Sequence, residues 1–125
     1  MDETSVHPQG QGPRILSVEQ ILTANDIVER TVEVPQWGGA VRIRGLTKGQ
    51  HQLLRKKASL RGQVDTDRLE MLLFADSVIE PRFTLEQVNQ LKDKAAAPFE
   101  TVLRAVLEAN GLADGAVEQA EAEFR

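Results

Sequence analysis

The sequence predicts a mostly helical α+β domain, with a β-hairpin near its N-terminus packed beside a C-terminal bundle of about four or five helices. Three observations predict it. Between positions 29 and 46 apolar residues alternate with polar ones, the period of a strand. From Thr47 onward they recur at helical spacing. The chain has 125 residues and 41% hydrophobic content, enough for one domain with a core that needs no disulfide or metal staple.

Residues 1–14 are polar and include Pro8, Gly10, Gly12 and Pro13. They hold too few apolar groups to offset their ordering entropy and lack the charged-then-apolar pattern of a signal peptide. A disordered arm is expected there, with the single domain over 15–125. Ser17 followed by Gln20 is a capping-box pattern, predicting a short helix through Ala24 with Ile21 and Leu22 facing inward. Asn25 and Asp26 form its exit.

The hairpin is expected over about 29–46. A turn centred on Trp37-Gly38 would set Val34 opposite Val41, Val32 opposite Ile43 and Glu33 opposite Arg42. Pro35 cannot donate to a ladder, which makes its strand an edge at that point. Helices are expected over about 47–124. Thr47 caps the first, which carries Leu53, Leu54 and Leu60 and stops at Gly62. Asp65 caps the second, whose Leu69, Met71, Leu72, Leu73, Phe74 and Val78 make it the most buried. Pro81 interrupts, and Thr84 opens a shorter helix bearing Leu85, Val88 and Leu91. Pro98 suits a first helical position. Phe99, Val102, Leu103, Val106 and Leu107 then form a clean amphipathic stripe ending at Asn110-Gly111. Residues 114–125 carry a thin stripe of Val117, Ala120 and Phe124, expected to fray or to dock on a partner.

No catalytic constellation emerges, and the expectation is a binding protein without cofactor or metal rather than an enzyme. The absence of cysteine removes thiol chemistry and disulfides. The two histidines, His7 and His51, are too far apart in sequence and too few to complete a zinc site; both are expected at the surface. Asp65 and Asp67 begin like a calcium loop, but Leu69 takes a ligand position and Glu70 the glycine position, so helix capping explains them better. Gly38-Gly39 lacks the Gly-Lys-Ser/Thr of a phosphate loop.

Nineteen acids against fifteen bases give a net charge of −4, with no global attraction to nucleic acid or anionic lipid. The basic group Arg55, Lys56, Lys57 and Arg61 invites a helical DNA-binding alternative. A solvated helix face is the simpler reading, because the four spread around a helix at about 100° per residue. No apolar run approaches the ~18 residues of a membrane span. Trp37, at a hairpin tip, either folds back on the core or offers a large amphipathic surface to a partner.

The run Val32-Glu33-Val34-Pro35-Gln36-Trp37-Gly38-Gly39, continuing through Val41-Arg42-Ile43-Arg44 and Leu46-Thr47, resembles the tail assembly chaperones of long-tailed bacteriophages and prophages. Ala95-Ala96-Ala97-Pro98-Phe99 and Leu107-Glu108-Ala109-Asn110-Gly111-Leu112 are similar to the same family's helical end. The resemblance covers about 22–112. It implies a protein that binds the tape measure protein in the host bacterial cytoplasm, keeps it soluble, assists tail tube assembly and is absent from the finished virion. It also implies a longer frameshifted form that contacts the tail tube protein, this chain being the short form. It brings no catalytic residues.

A chaperone for a long helical client needs apolar faces that accept another helix. The candidate partner-binding residues are therefore Trp37, Val41 and Ile43 of the hairpin and Phe99, Val102 and Val106 of the helical stripe. Self-association is expected through an unpaired hairpin edge. A structural tail or connector component is a further alternative.

Overall fold

The computed structural model describes residues 12–112. Most of the arm expected over 1–14, and the tail expected over 114–125, lie outside the described residues. Helix α1, Val18–Thr23, forms the anticipated capping box: Ser17 Oγ accepts from the Gln20 N–H at 3.1 Å, and Gln20 Oε1 accepts from the Ser17 N–H at 2.9 Å. Its direction is the surprise. None of its residues is buried, so Ile21 and Leu22 do not face inward.

Strands β1, Glu29–Val34, and β2, Gly39–Arg44, form the antiparallel hairpin. Val32 pairs with Val41, Val34 with Gly39 and Arg30 with Ile43. This corrects the expected register by two residues. Pro35 enters a 3₁₀ turn, Pro35–Trp37, closed by Gly38 at φ 79°, so the turn centres on Gln36-Trp37, one residue before the expected Trp37-Gly38. A shift of two preserves the faces of a strand, and Val34, Val41 and Ile43 all still point to the core. On the other face Glu33 lies opposite Ala40. The Arg42 guanidinium instead sits 3.7 Å from Glu29 and 3.8 Å from Glu80.

Glu80 belongs to a third strand, β5, Val78–Glu80, which pairs antiparallel with β2 and makes the sheet order β1-β2-β5. The sequence reading ran Val78 into the preceding helix. That helix stops one residue earlier, and both edges of β2 are occupied.

Helix α2, Lys48–Ala58, is capped as expected by Thr47 with Gln50. It ends before the predicted Gly62. Strands β3, Ser59–Leu60, and β4, Gln63–Val64, form a second, tiny hairpin whose turn residues Arg61 and Gly62 both take positive φ, 56° and 82°. Of the three leucines expected on this helix, only Leu54 is buried, and Leu60 lies beyond its end.

Helix α3, Thr66–Ser77, capped by Asp65, buries Leu69, Met71, Leu72, Leu73, Phe74, Ala75 and Ser77, and is the centre of the molecule. It touches α2, α4 (Leu85–Gln90), α5 (Ala96–Ala109) and β5. Phe74 stacks on Phe99 with ring centres 4.7 Å apart and meets Phe83 edge-on at 5.5 Å. Helix α5 starts at Ala96, two residues before the expected Pro98, which lies within the first turn where its missing N–H is still harmless. It ends as predicted. Leu112 N–H bonds Leu107 O at 2.7 Å, Gly111 N–H bonds Glu108 O at 3.0 Å, and Gly111 takes φ 72°. The result is an α+β fold, mostly α, with the apolar face of the sheet packed on α5.

Gly45, just past the end of β2, runs close against the last turn of α5. A Cβ there would stand 2.6 Å from the Ala109 carbonyl oxygen, and backbone cannot swing aside as a side chain can. Gly45→Ala should therefore destabilise the protein by about 1–3 kcal/mol, read as a lower urea midpoint with unchanged slope.

Candidate interaction surfaces

His51, Ser77 and Asn110 meet where α2, α3 and α5 converge, and they superficially suggest a catalytic group. Their wiring says otherwise. Asn110 Oδ1 contacts His51 Nε2 at 2.8 Å and accepts from the Leu46 N–H at 2.7 Å. Its Nδ2 donates to Ser77 Oγ at 3.1 Å and to Val106 O at 2.8 Å. The amide thus stands between imidazole and hydroxyl, and Ser77 is fully buried. The group ties three helices and the β2–α2 connection together. His51 is part-buried and bonded rather than a free surface residue, which sequence spacing could not reveal because its partner is 59 positions away.

The candidate partner-binding residues divide. Val41 is buried, and Ile43, Val102 and Val106 have no exposure at all; they build the core and present no surface in this structure. Trp37 is half-buried and folds back against the core, the first of its two expected fates. Phe99 is also half-buried. With Met71, Leu91 and Ala96 it floors a shallow pocket of about 240 Å³ whose rim carries Lys92, Lys94 and Glu100.

The most exposed apolar surface includes Ile21 and Leu22, which were expected to face inward. Ile15 is 88% exposed, Val18 72%, Ile21 54% and Leu22 78%. Val18, Ile21 and Leu22 share one face of α1 at spacings of three and four. A second apolar exposure lies on α2, where Leu53 is 51% exposed, and just beyond it, where Leu60 is 65% exposed. Lys48, Gly49, Gln52, Leu53, Arg55, Lys56 and Ser59 line an open groove along α2. The cations read from the sequence as spread around this helix are in part gathered: Arg55 and Lys56 join Lys48 on the groove, while Lys57 and Arg61 do not line it.

Among the described residues no group of three or more His, Cys, Asp or Glu side chains could hold a metal ion. No helix there is long and apolar enough to cross a membrane. Among the described residues no buried side-chain polar atom lacks a hydrogen-bond partner. What the described residues offer at the surface is apolar area framed by charge.

No family model and no curated protein matches the chain. Among solved structures it is similar to the crystal structure of the protein YqbN, a structural genomics target, with a TM-score of 0.63. The two are 12% identical, and the match covers 80% of this chain and 100% of that one. At this identity the likeness establishes a shared fold.

Proposed function

We propose that this protein is a tail assembly chaperone of a long-tailed bacteriophage or prophage. It works by binding rather than catalysis, takes no cofactor, and acts in the cytoplasm of the bacterial host. Its client is the tape measure protein, which it holds soluble while the tail tube assembles, and it leaves before the virion is complete. A longer frameshifted form would add the contact to the tail tube protein. The resemblance of the hairpin run from Val32 to Thr47 and of the α5 region supports this reading. The structural observation that carries it furthest is the shallow pocket floored by Phe99, Met71 and Leu91. Aromatic and thioether side chains adapt to varied apolar partners, as a client made of many similar helical turns requires.

Co-purification tests it. Tagged tape measure protein from the same phage should retain this chain through a wash in moderate salt, because buried apolar area rather than charge dominates the contact. Ala96→Glu should weaken retention about tenfold by placing a charge on the apolar floor of the pocket. Ala96 is exposed at the first position of α5, where an acid suits the helix dipole, so the fold should be unharmed. Failure to retain the wild-type chain would remove the proposal.

The cations on the α2 groove favour one second reading, a DNA-binding regulator. Salt-dependent affinity for duplex DNA, lost when Lys48, Arg55 and Lys56 are neutralised, would support that reading instead. Recovery of the chain in purified particles would point to a structural tail or connector component.

A further inference from the structure

The pocket floored by Phe99, Met71 and Leu91 has an uneven rim, where Lys92 and Lys94 supply two cations and Glu100 one anion. The segment that follows α5, residues 113–125, lies outside the described residues, and its sequence carries the opposite arrangement. There Phe124 is flanked by Glu121, Glu123 and Arg125, two anions and one cation. We infer that Phe124 of the chain's own segment docks on Phe99 in this pocket and covers it until a partner displaces it.

Reach, chemistry and charge each support the match. Helix α5 ends in a reversal, with the Leu112 N–H bonded to Leu107 O at 2.7 Å and Gly111 at φ 72°, so the backbone leaves the helical path there. Phe99 stands 13 positions before Leu112, and Phe124 stands 12 positions after it. At helical rise the stretch from Phe99 to Leu112 measures about 20 Å. Twelve residues reach about 18 Å as a helix and about 40 Å extended, so the segment spans that distance without disturbing the fold. Phe99 is already stacked on Phe74 with ring centres 4.7 Å apart, and its remaining exposure lines the pocket. A further aromatic ring extends that stack, and the Met71 thioether beside it favours contact with a ring edge. Glu121 and Glu123 then meet Lys92 and Lys94, while Arg125 meets Glu100. Both lysines are exposed, so these pairs fix the register of the segment more than its strength.

The chain's own segment is favoured over that of a second copy because it is tethered. A linker this short holds Phe124 near the pocket at an effective concentration on the order of millimolar, above that of a second chain in ordinary solution. Under the chaperone reading, on which this step rests, the same pocket receives the client. The segment then competes with the client and shields the apolar floor when none is present. The apparent affinity for the client falls by the fraction of chains whose pocket is open.

Met1 and Met71 are the only methionines, so a spectrum of methionine-methyl-labelled chain holds two signals, and Met71→Leu identifies the one from the pocket. Phe124→Ser should shift the Met71 signal, because the ring current of Phe124 is lost, and should leave the thermal melt unchanged. Lys92→Glu with Lys94→Glu should shift it in the same direction. Adding Glu121→Lys with Glu123→Lys to that pair should bring it back to the wild-type position. Unlabelled wild-type chain mixed with labelled Phe124→Ser should restore nothing. A Met71 signal unmoved by Phe124→Ser would overturn the inference, as would charge exchange without rescue. Restoration by added wild-type chain would give the pocket to a second copy and overturn it equally. No client is present in this measurement, so its failure leaves the chaperone reading to be judged by co-purification. Tagged tape measure protein should retain Phe124→Ser about threefold better than wild type, and equal retention would overturn the competition.

Discussion

Val106→Asp should leave the protein without a folded state at 25 °C, seen as loss of the cooperative thermal transition. Val106 has no solvent exposure and lies on α5, the helix packed against β1 and β2. The core it belongs to also holds Val34, Ile43 and Val102, none of which carries a polar atom on its side chain. A carboxylate in the core must either remain charged away from water or bind a proton. Either way the cost exceeds about 4 kcal/mol, against a total stability of about 5–15 kcal/mol for a domain. A variant that melts like the wild type would show that α5 does not face the core.

Asn110→Ala should cost about 2–4 kcal/mol, measured by urea unfolding, though it removes only a few atoms. The change deletes the acceptor of the Leu46 N–H and the donor to Ser77 Oγ, and Ser77 is fully buried. Each group left without a partner away from water costs about 1–3 kcal/mol. Asn110→Asp separates the two contributions. It keeps an acceptor for Leu46 but loses the donor to Ser77 and Val106 O, so it should be less damaging than alanine only if the acceptor side dominates.

Much of the architecture was legible in the sequence because it is set by local chemistry. The cap residues Ser17, Thr47, Asp65 and Thr84 each satisfy an N–H within three positions, and the Gly111 stop acts within five. The hairpin register was harder. Two registers that differ by two residues bury the same valines, and only the conformation of Pro35–Trp37 chooses between them. Strand β5 was hidden for a different reason. Val78 continues the helical spacing of α3, and three residues hold too little pattern to announce a switch.

The surfaces were the least legible part. An exposed apolar stripe and a buried one have the same period, so Ile21 and Leu22 read as facing inward although both are exposed. The reverse error placed Ile43, Val102 and Val106 among partner-binding candidates when tertiary packing buries them completely. The link between His51 and Asn110 joins residues 59 positions apart, and no local pattern encodes it.

The most direct measurement of the proposed function is the soluble fraction of the tape measure protein expressed with and without this chain. With the chain present, most of the tape measure protein should stay in the supernatant. Ala96→Glu should lower that yield, whereas neutralising Arg55, Lys56, Lys57 and Arg61 should change it little, because apolar burial holds the client. Equal precipitation of the tape measure protein with and without the chain would contradict the proposal.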